Sequence, residues 1–225
     1  MNYEIKAIRL DMPLRLGTVN CYLIKAGTGH ILVDTGGSNS RGALERALGE
    51  AGCTPENLRL ILLTHGDFDH TGNVAYLRQR FGAQVAMHRA DAGMLEQGHM
   101  FHNRKSGNAI IKAIAPILFR FGKENRLTPD LYVDDGFDLS EYGLDARIVH
   151  IPGHSAGSVG MLTAGGDLLC GDLLECTKAP ALGSIMDDPE TANTSVNTLR
   201  RLGVKQVYPG HGRPFAWHEL VEQRL

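Results

Sequence analysis

The chain has 225 residues, of which 43% are hydrophobic and 21% charged, an ordinary mixture for a globular protein with a sizeable core. Its formal net charge of −2 gives no reason to expect nucleic acid or an anionic membrane surface as a partner. The start lacks the pattern of a signal peptide, and the longest apolar stretch is too short and too charged to span a bilayer. With no CxxC spacing among its cysteines, the chain is predicted to be cytoplasmic, with reduced thiols.

The first half of the chain alternates predicted strands and helices. Alternating or continuous apolar runs predict strands within residues 3–10, 18–27, 30–36, 58–65 and 83–88. Helical spacing of apolar residues predicts helices within 40–52 and 71–82, and each of these ends at a glycine. This order of elements indicates one sheet with helices packed beside it.

Residues 88–130 differ from the segments around them. They contain scattered histidines, a basic patch at Arg104 and Lys105, and an apolar helix near 110–121. We expect a helical insertion over about 88–130, in which His99 and His102 are surface or lid groups rather than metal ligands. The apolar face near 108–121 could pack on the core, form a homodimer contact, or cover a substrate site.

Strands return after the insertion. They are predicted within 145–152, 158–165, 166–172 and 205–212. A helix is expected over 189–203, and a second, short helix at the C-terminus. No linker or repeat divides the chain, so residues 1–225 are expected to form a single domain.

Polar residues follow four of these predicted strands, each beside a glycine. The segments are "THGDFDH" (64–70), "PGHSAGS" (152–158), "CGDLL" (170–174) and "YPGHG" (208–212). The first places two histidines and two aspartates within six residues, an arrangement that is unfavourable unless cations organise the side chains. Histidine and carboxylate donors suit divalent metals rather than a thiolate site.

Taken together, "ILVDTG", "THGDFDH", "PGHSAGS", "CGDLL" and "YPGHG" resemble the motifs of the metallo-β-lactamase-fold superfamily. The resemblance covers nearly the whole chain. It implies an α/β fold, a four-layer αββα sandwich of two mixed β-sheets with helices outside and a metal site at one sheet edge. It also implies that Asp34 is a structural residue that hydrogen-bonds the metal-binding loop. The implied metal ligands are His65, Asp67 and His154 for a first metal, Asp69, His70 and His211 for a second, and Asp172 as a bridge between them.

The resemblance further implies a metal-dependent hydrolase, in which a hydroxide bridging two divalent metal ions attacks a small ester, thioester or lactone-type substrate. Asp69 or Asp67 would be the catalytic residue that moves the proton to the leaving group. Two alternatives stay open at this point. One is a non-haem iron oxidoreductase of the same fold, of the sulfur dioxygenase or oxygen-reducing di-iron type, and the other is a non-catalytic protein with a structural site.

Asp67 departs from the family pattern, which has a second histidine at this position. Two dications carry four positive charges, which Asp67, Asp69, Asp172 and a bridging hydroxide would neutralise. The extra carboxylate makes the ligand set of the first site harder in the chemical sense, which favours iron or manganese. Zinc is the metal expected first, and iron and manganese are the alternatives. Asp67 could instead leave the first site weak, so that one metal dominates.

Overall fold

The computed structural model describes residues 3–27, 29–102, 104, 114 and 123–222. The predicted helix near 108–121, and the homodimer contact expected from it, lie outside the described residues apart from Ile114. The strands are β1 (Tyr3–Asp11), β2 (Thr18–Ala26), β3 (Gly29–Val33), β4 (Leu58–Leu62), β5 (Gln84–Met87), β6 (Leu131–Tyr132), β7 (Ala146–His150), β8 (Val159–Thr163), β9 (Asp167–Gly171), β10 (Leu174–Glu175), β11 (Ala181–Leu182), β12 (Gln206–Pro209) and β13 (Phe215–Ala216). The α-helices are α1 (Arg41–Glu50), α2 (Phe68–Thr71), α3 (Val74–Phe81), α4 (Arg89–Gln97), α5 (Pro189–Leu199) and α6 (Trp217–Glu222).

Two larger sheets are formed, and both are mixed. The first has the order β1-β2-β3-β4-β5-β6 and the second the order β13-β12-β9-β8-β7. In the first sheet β1, β2 and β3 pair antiparallel, whereas β3 to β6 run parallel. In the second sheet only the β9–β12 pair is parallel. A small antiparallel pair, β10–β11, lies apart from both.

The alternation of side chains along β4 shows how the layers are held together. Leu60 and Leu62 belong to the apolar cluster between the two sheets, together with Ile148 and Met161 of the second sheet. Ile61 points the other way, into the cluster that α1 and α3 cover. A third cluster joins the outer face of the second sheet to α5 and α6. Because strand side chains alternate between faces, each sheet has apolar residues on both, and the predicted four-layer αββα sandwich is confirmed.

The local sequence predicted the end of α3 but not the helix at the start of the insertion. Gly82 ends α3 in the left-handed region at φ 68°, as its position predicts. At the start of the insertion the structure forms α4, which the sequence pattern did not define. His88 caps this helix, since its Nδ1 accepts a hydrogen bond from the backbone of Ala90 at 3.2 Å.

The four cysteines are all unpaired and buried. None of the described helices is both long enough and apolar enough to cross a bilayer.

The layer between the sheets is expected to carry much of the stability. Replacing the fully buried Leu62 by alanine should lower the free energy of unfolding by about 2–5 kcal/mol, because the cavity would be enclosed by both sheets. The matched control is Leu16→Ala, which removes the same atoms from a residue that is 58% exposed and should change stability by less than about 0.5 kcal/mol. Urea denaturation measures both, and equal losses would contradict the layer assignment.

Candidate metal centre

The predicted polar residues meet at one edge of the two sheets. His65 follows β4, Asp67 directly precedes α2, and Asp69 and His70 lie within α2. His154, Asp172 and His211 follow β7, β9 and β12 of the second sheet. Two groups have ligand atoms that all lie within 4.8 Å of one another: His65, His154 and Asp172, and Asp69, His70 and His211. We call them the first and second triads.

Glycines allow the strands to approach this closely. Gly171 has φ 51°, and a side chain there would meet Thr64 of the neighbouring sheet. At Gly210 a Cβ atom would collide with the carboxylate of Asp172 and the ring of His70. Both glycines therefore keep the space in which the donor atoms face one another.

Two histidines are oriented by a network around Asp34. His70 donates from Nδ1 to Asp34 Oδ2 at 2.9 Å. Asp34 also accepts bonds from the backbone N–H and the hydroxyl of Thr64, both at 2.8 Å. Because the Thr64 hydroxyl donates to Asp34, its oxygen accepts the Nδ1–H of His65, 2.9 Å away. The expectation that Asp34 hydrogen-bonds the metal-binding loop is confirmed.

The other two histidines are oriented by backbone carbonyls. His154 Nδ1 donates to the carbonyl of Ile185, and His211 Nδ1 donates to that of Thr18, each at 2.8 Å. In every case the bond to Nδ1 leaves Nε2 directed into the centre. Fixing one ring nitrogen so that the other can bind a metal is the usual arrangement of histidine ligands.

Several donor atoms at the centre are buried and have no hydrogen-bond partner among the described residues. They are His65 Nε2, His70 Nε2 and Asp172 Oδ1. Asp172 lies between the triads, with Oδ1 3.3 Å from His70 Nε2 and Oδ2 3.2 Å from His211 Nε2. Leaving such atoms unpaired is costly in a folded protein. The residues present therefore fit divalent metal ions, which would bind these same atoms.

The buried histidines and aspartates at this centre shift one another's pKa values in opposite directions. Burial, with the neighbouring His70, holds the pKa of His65 well below its ordinary value. Burial would also lower the pKa of His70, but Asp172 and Asp34 raise it well above the usual range. For Asp172 burial acts upward, yet His211 and His70 bring its pKa well below normal. Buried carboxylates and histidines packed this closely can be stabilised by a cation bound between them.

Asp67 lies at the centre but outside both triads. Its Oδ1 accepts a hydrogen bond from Arg104 Nη1 at 2.6 Å, and its Oδ2 is 3.2 Å from His154 Nε2. Burial would raise the pKa of Asp67, but the bond with His154 and the charge of Arg104 lower it below its ordinary value. In the sequence, Arg104 stands out only as part of a basic patch, because nothing in its local pattern indicates a contact with Asp67, 37 residues away.

A second residue that sequence analysis missed is Asp91, on α4. Its fully buried carboxylate accepts bonds from the Ser155 hydroxyl at 2.5 Å and the backbone of Gly157 at 2.8 Å. These bonds hold the loop that follows His154. Ser155 is thereby a structural partner of Asp91, in agreement with the absence of a serine-nucleophile pattern in the sequence.

A cavity of about 750 Å³ opens beside the centre. Its polar floor includes Asp69, Asp172 and His211, and its rim includes Leu16 and Ile185, which are 58% and 64% exposed. Apolar walls with a few convergent polar groups are typical of small-molecule sites.

Comparison with known proteins gives the following similarities. A family model described as "Metallo-beta-lactamase superfamily" matches residues 14–211. The hydroxyacylglutathione hydrolase of Anaeromyxobacter dehalogenans is 30% identical over 191 residues, which are 84% of this chain and 60% of that protein. The chain thus spans about 60% of the length of the curated relatives it matches.

Two solved structures extend the comparison. The metallo-beta-lactamase family protein TTHA1429 from Thermus thermophilus superposes with a TM-score of 0.74 at 26% identity, covering 98% of this chain and 78% of that one. TTHA1623, solved in a di-iron-bound form, superposes with a TM-score of 0.71 at 25% identity, covering 94% of this chain and 96% of that one.

The Asp34 network yields a prediction about metal affinity. Asp34→Asn keeps a residue that tolerates the left-handed backbone at φ 60° but removes the charge that orients His70. We expect metal affinity to fall by about 10–100-fold, the usual effect of losing such a partner. Equilibrium dialysis with elemental analysis measures this. The control is Asp134→Asn, at a carboxylate that is 81% exposed, and unchanged affinity in Asp34→Asn would contradict the orienting role.

Proposed function

The chain belongs to the metallo-β-lactamase superfamily, and from that premise we propose that it is a metal-dependent hydrolase of small ester, thioester or lactone-type substrates. The observation that carries the proposal is the set of buried, unpartnered donor atoms beside an open cavity. Fold membership alone does not fix a substrate, so the site itself has to supply the argument.

Two divalent metal ions, zinc in the first instance, would be held by the two triads. Asp172 would serve both, an assignment supported by its Oδ2, 3.9 Å from His65 Nε2 of the first triad, and its Oδ1, 3.3 Å from His70 Nε2 of the second. When bound, metal ions supply Lewis acidity and a water of lowered pKa. The chain's own residues must then orient the substrate and move the proton.

Asp69 is the better placed of the two predicted catalytic aspartates. Its carboxylate lines the cavity, with Oδ2 3.4 Å from His211 Nε2. From there it could take a proton from the attacking water and return it to the leaving group. Asp67 also lines the cavity, but one of its oxygens already accepts a bond from Arg104. We therefore assign the proton transfer to Asp69.

A thioester is the favoured substrate within this class. The similar hydroxyacylglutathione hydrolase is named for a thioester, and the apolar rim at Leu16 and Ile185 suits an acyl group. Arg9 also lines the cavity and could attract an anionic part of the substrate.

A small molecule is thus the proposed partner. Nucleic acid and membrane are not expected, a homodimer through 108–121 stays a prediction, and so does a cytoplasmic location.

An iron-dependent oxidoreductase is the second candidate. The observation in its favour is the similarity to a protein solved in a di-iron-bound form, together with the additional carboxylate at Asp67. Carboxylate-rich sites favour harder metals than zinc. Protein purified without added metal would contain iron, absorb visible light and consume oxygen with a thiol or persulfide substrate if this candidate were correct.

The hydrolase proposal predicts metal-dependent turnover that requires Asp69. Zinc-loaded or manganese-loaded protein should hydrolyse a thioester in a panel that also contains a lactone and a carboxylate ester, and a chelator should abolish the activity. Asp69→Asn should lower kcat/KM by about 100-fold or more, the range of a lost general base, while Asp134→Asn should not. No hydrolysis across the panel by metal-loaded protein would refute the proposal.

A further inference from the structure

Arg104 is a buried cation placed inside a candidate metal centre. Only 3% of its side chain is exposed, and its three nitrogens are all used. Nε donates to Asp187 at 2.9 Å, Nη1 to Asp67 at 2.6 Å, and Nη2 to the backbone carbonyl of His154 at 2.8 Å. A guanidinium with this fixed set of acceptors is locked in one orientation.

The same guanidinium also reaches a donor atom of the first triad. Arg104 Nη2 lies 3.2 Å from His154 Nε2. The same Nε2 lies 3.2 Å from Asp67 Oδ2, so the guanidinium and the Asp67 carboxylate both stand beside the ring nitrogen that would face a first metal. Arg104 therefore binds one oxygen of Asp67 and places its positive charge next to His154 Nε2, at two of the atoms that a first metal would use.

The second triad has no such competitor. Within the described part of the chain, Asp69, His70, His211 and Asp172 form ion-pair contacts with one another or with other histidines and aspartates, and with no arginine or lysine. Each triad contains a carboxylate, but a cation at the first triad would also meet the fixed positive charge of Arg104. The repulsion acts through buried surroundings, where screening is weak.

Arg104 is not placed to bind substrate. It does not line the cavity, and its nitrogens point at acceptors within the protein. Its partner Asp67 stands where the family pattern has a histidine, and a neutral imidazole there would offer no charge to a buried guanidinium. At this position the chain therefore has a buried carboxylate–guanidinium ion pair in place of the histidine of the family pattern.

We propose that Arg104 competes with the first metal for Asp67 and His154, so that the chain binds one ion tightly at Asp69, His70 and His211 and a second ion much more weakly. A first metal that uses Asp67 and His154 as ligands requires Arg104 to release Asp67 and to move away from His154 Nε2. The inference rests on the metal-binding part of the proposed function, and it is independent of the substrate.

Zinc titration of chelator-treated protein tests the inference without measuring activity. Equilibrium dialysis with elemental analysis should show one tight ion per chain and a second bound at least about tenfold more weakly. In Arg104→Gln the second ion should bind at least about tenfold more tightly, the scale on which neighbouring groups alter metal affinity. Arg78→Gln, which removes an exposed arginine paired with Asp130, should leave both affinities within about twofold.

A double-mutant cycle tests whether Asp67 is the residue for which Arg104 and the metal ion compete. Asp67→Asn in the Arg104→Gln background should reverse most of the gain, whereas Asp67→Asn alone should change the second affinity little. Arg104→Lys, which cannot reach all three acceptors at once, should give an intermediate affinity and serves if Arg104→Gln does not fold by circular dichroism.

The outcomes separate this inference from the proposed function. Two equally tight ions in the unmodified protein, or an unchanged second affinity in Arg104→Gln and Arg104→Lys, would overturn the competition and leave the hydrolase proposal standing. No metal binding at all would overturn both.

Discussion

The constraint on which the structure depends is the crowding of imidazole and carboxylate groups at one sheet edge. His65, His70 and Asp172 bring buried donor atoms together that have no hydrogen-bond partner among the described residues. Buried groups of this kind are normally satisfied, and groups that are not usually have a ligand or a catalytic role. A cation between them resolves the conflict, because it binds the lone pairs and balances the carboxylates. The fold can thus be understood as a frame that brings these atoms to one place.

Each layer of the frame contributes to that placement. The apolar cluster between the sheets fixes the separation of β4 and β9, whose ends carry His65 and Asp172. Gly171 and Gly210 remove the side chains that would otherwise fill the space. Asp34 then sets the ring orientation of His70 through a charged hydrogen bond. The backbone carbonyl of Thr18 sets the ring orientation of His211 in the same way. The precision of the site therefore comes from hydrogen bonds outside the donor set.

The sequence was most informative where structure is local. Alternating or continuous apolar runs located the strands of four residues or more, but not the two-residue strands β6, β10, β11 and β13. Gly82 marked the end of α3, and glycines beside polar residues indicated the strand ends that meet at the centre. The resemblance of those motifs to a known superfamily implied the fold and the family. Contacts between distant segments left no such pattern. Arg104 and Asp91 lie in or beside the insertion, and their partners Asp67 and Ser155 are reached only through the tertiary fold. The departure at Asp67 was visible in the sequence, but the cation that accompanies it was not.

Asp67 and Arg104 form a buried ion pair beside the first triad. A carboxylate in place of a histidine adds negative charge, and a buried arginine returns the balance without a metal. Anomalous diffraction from crystals soaked in zinc tests the central claim most directly. The account predicts a strong peak within coordination distance of Asp69, His70 and His211, with weaker density or none at the first triad. The absence of any peak between these side chains, with zinc bound elsewhere on the surface, would contradict it.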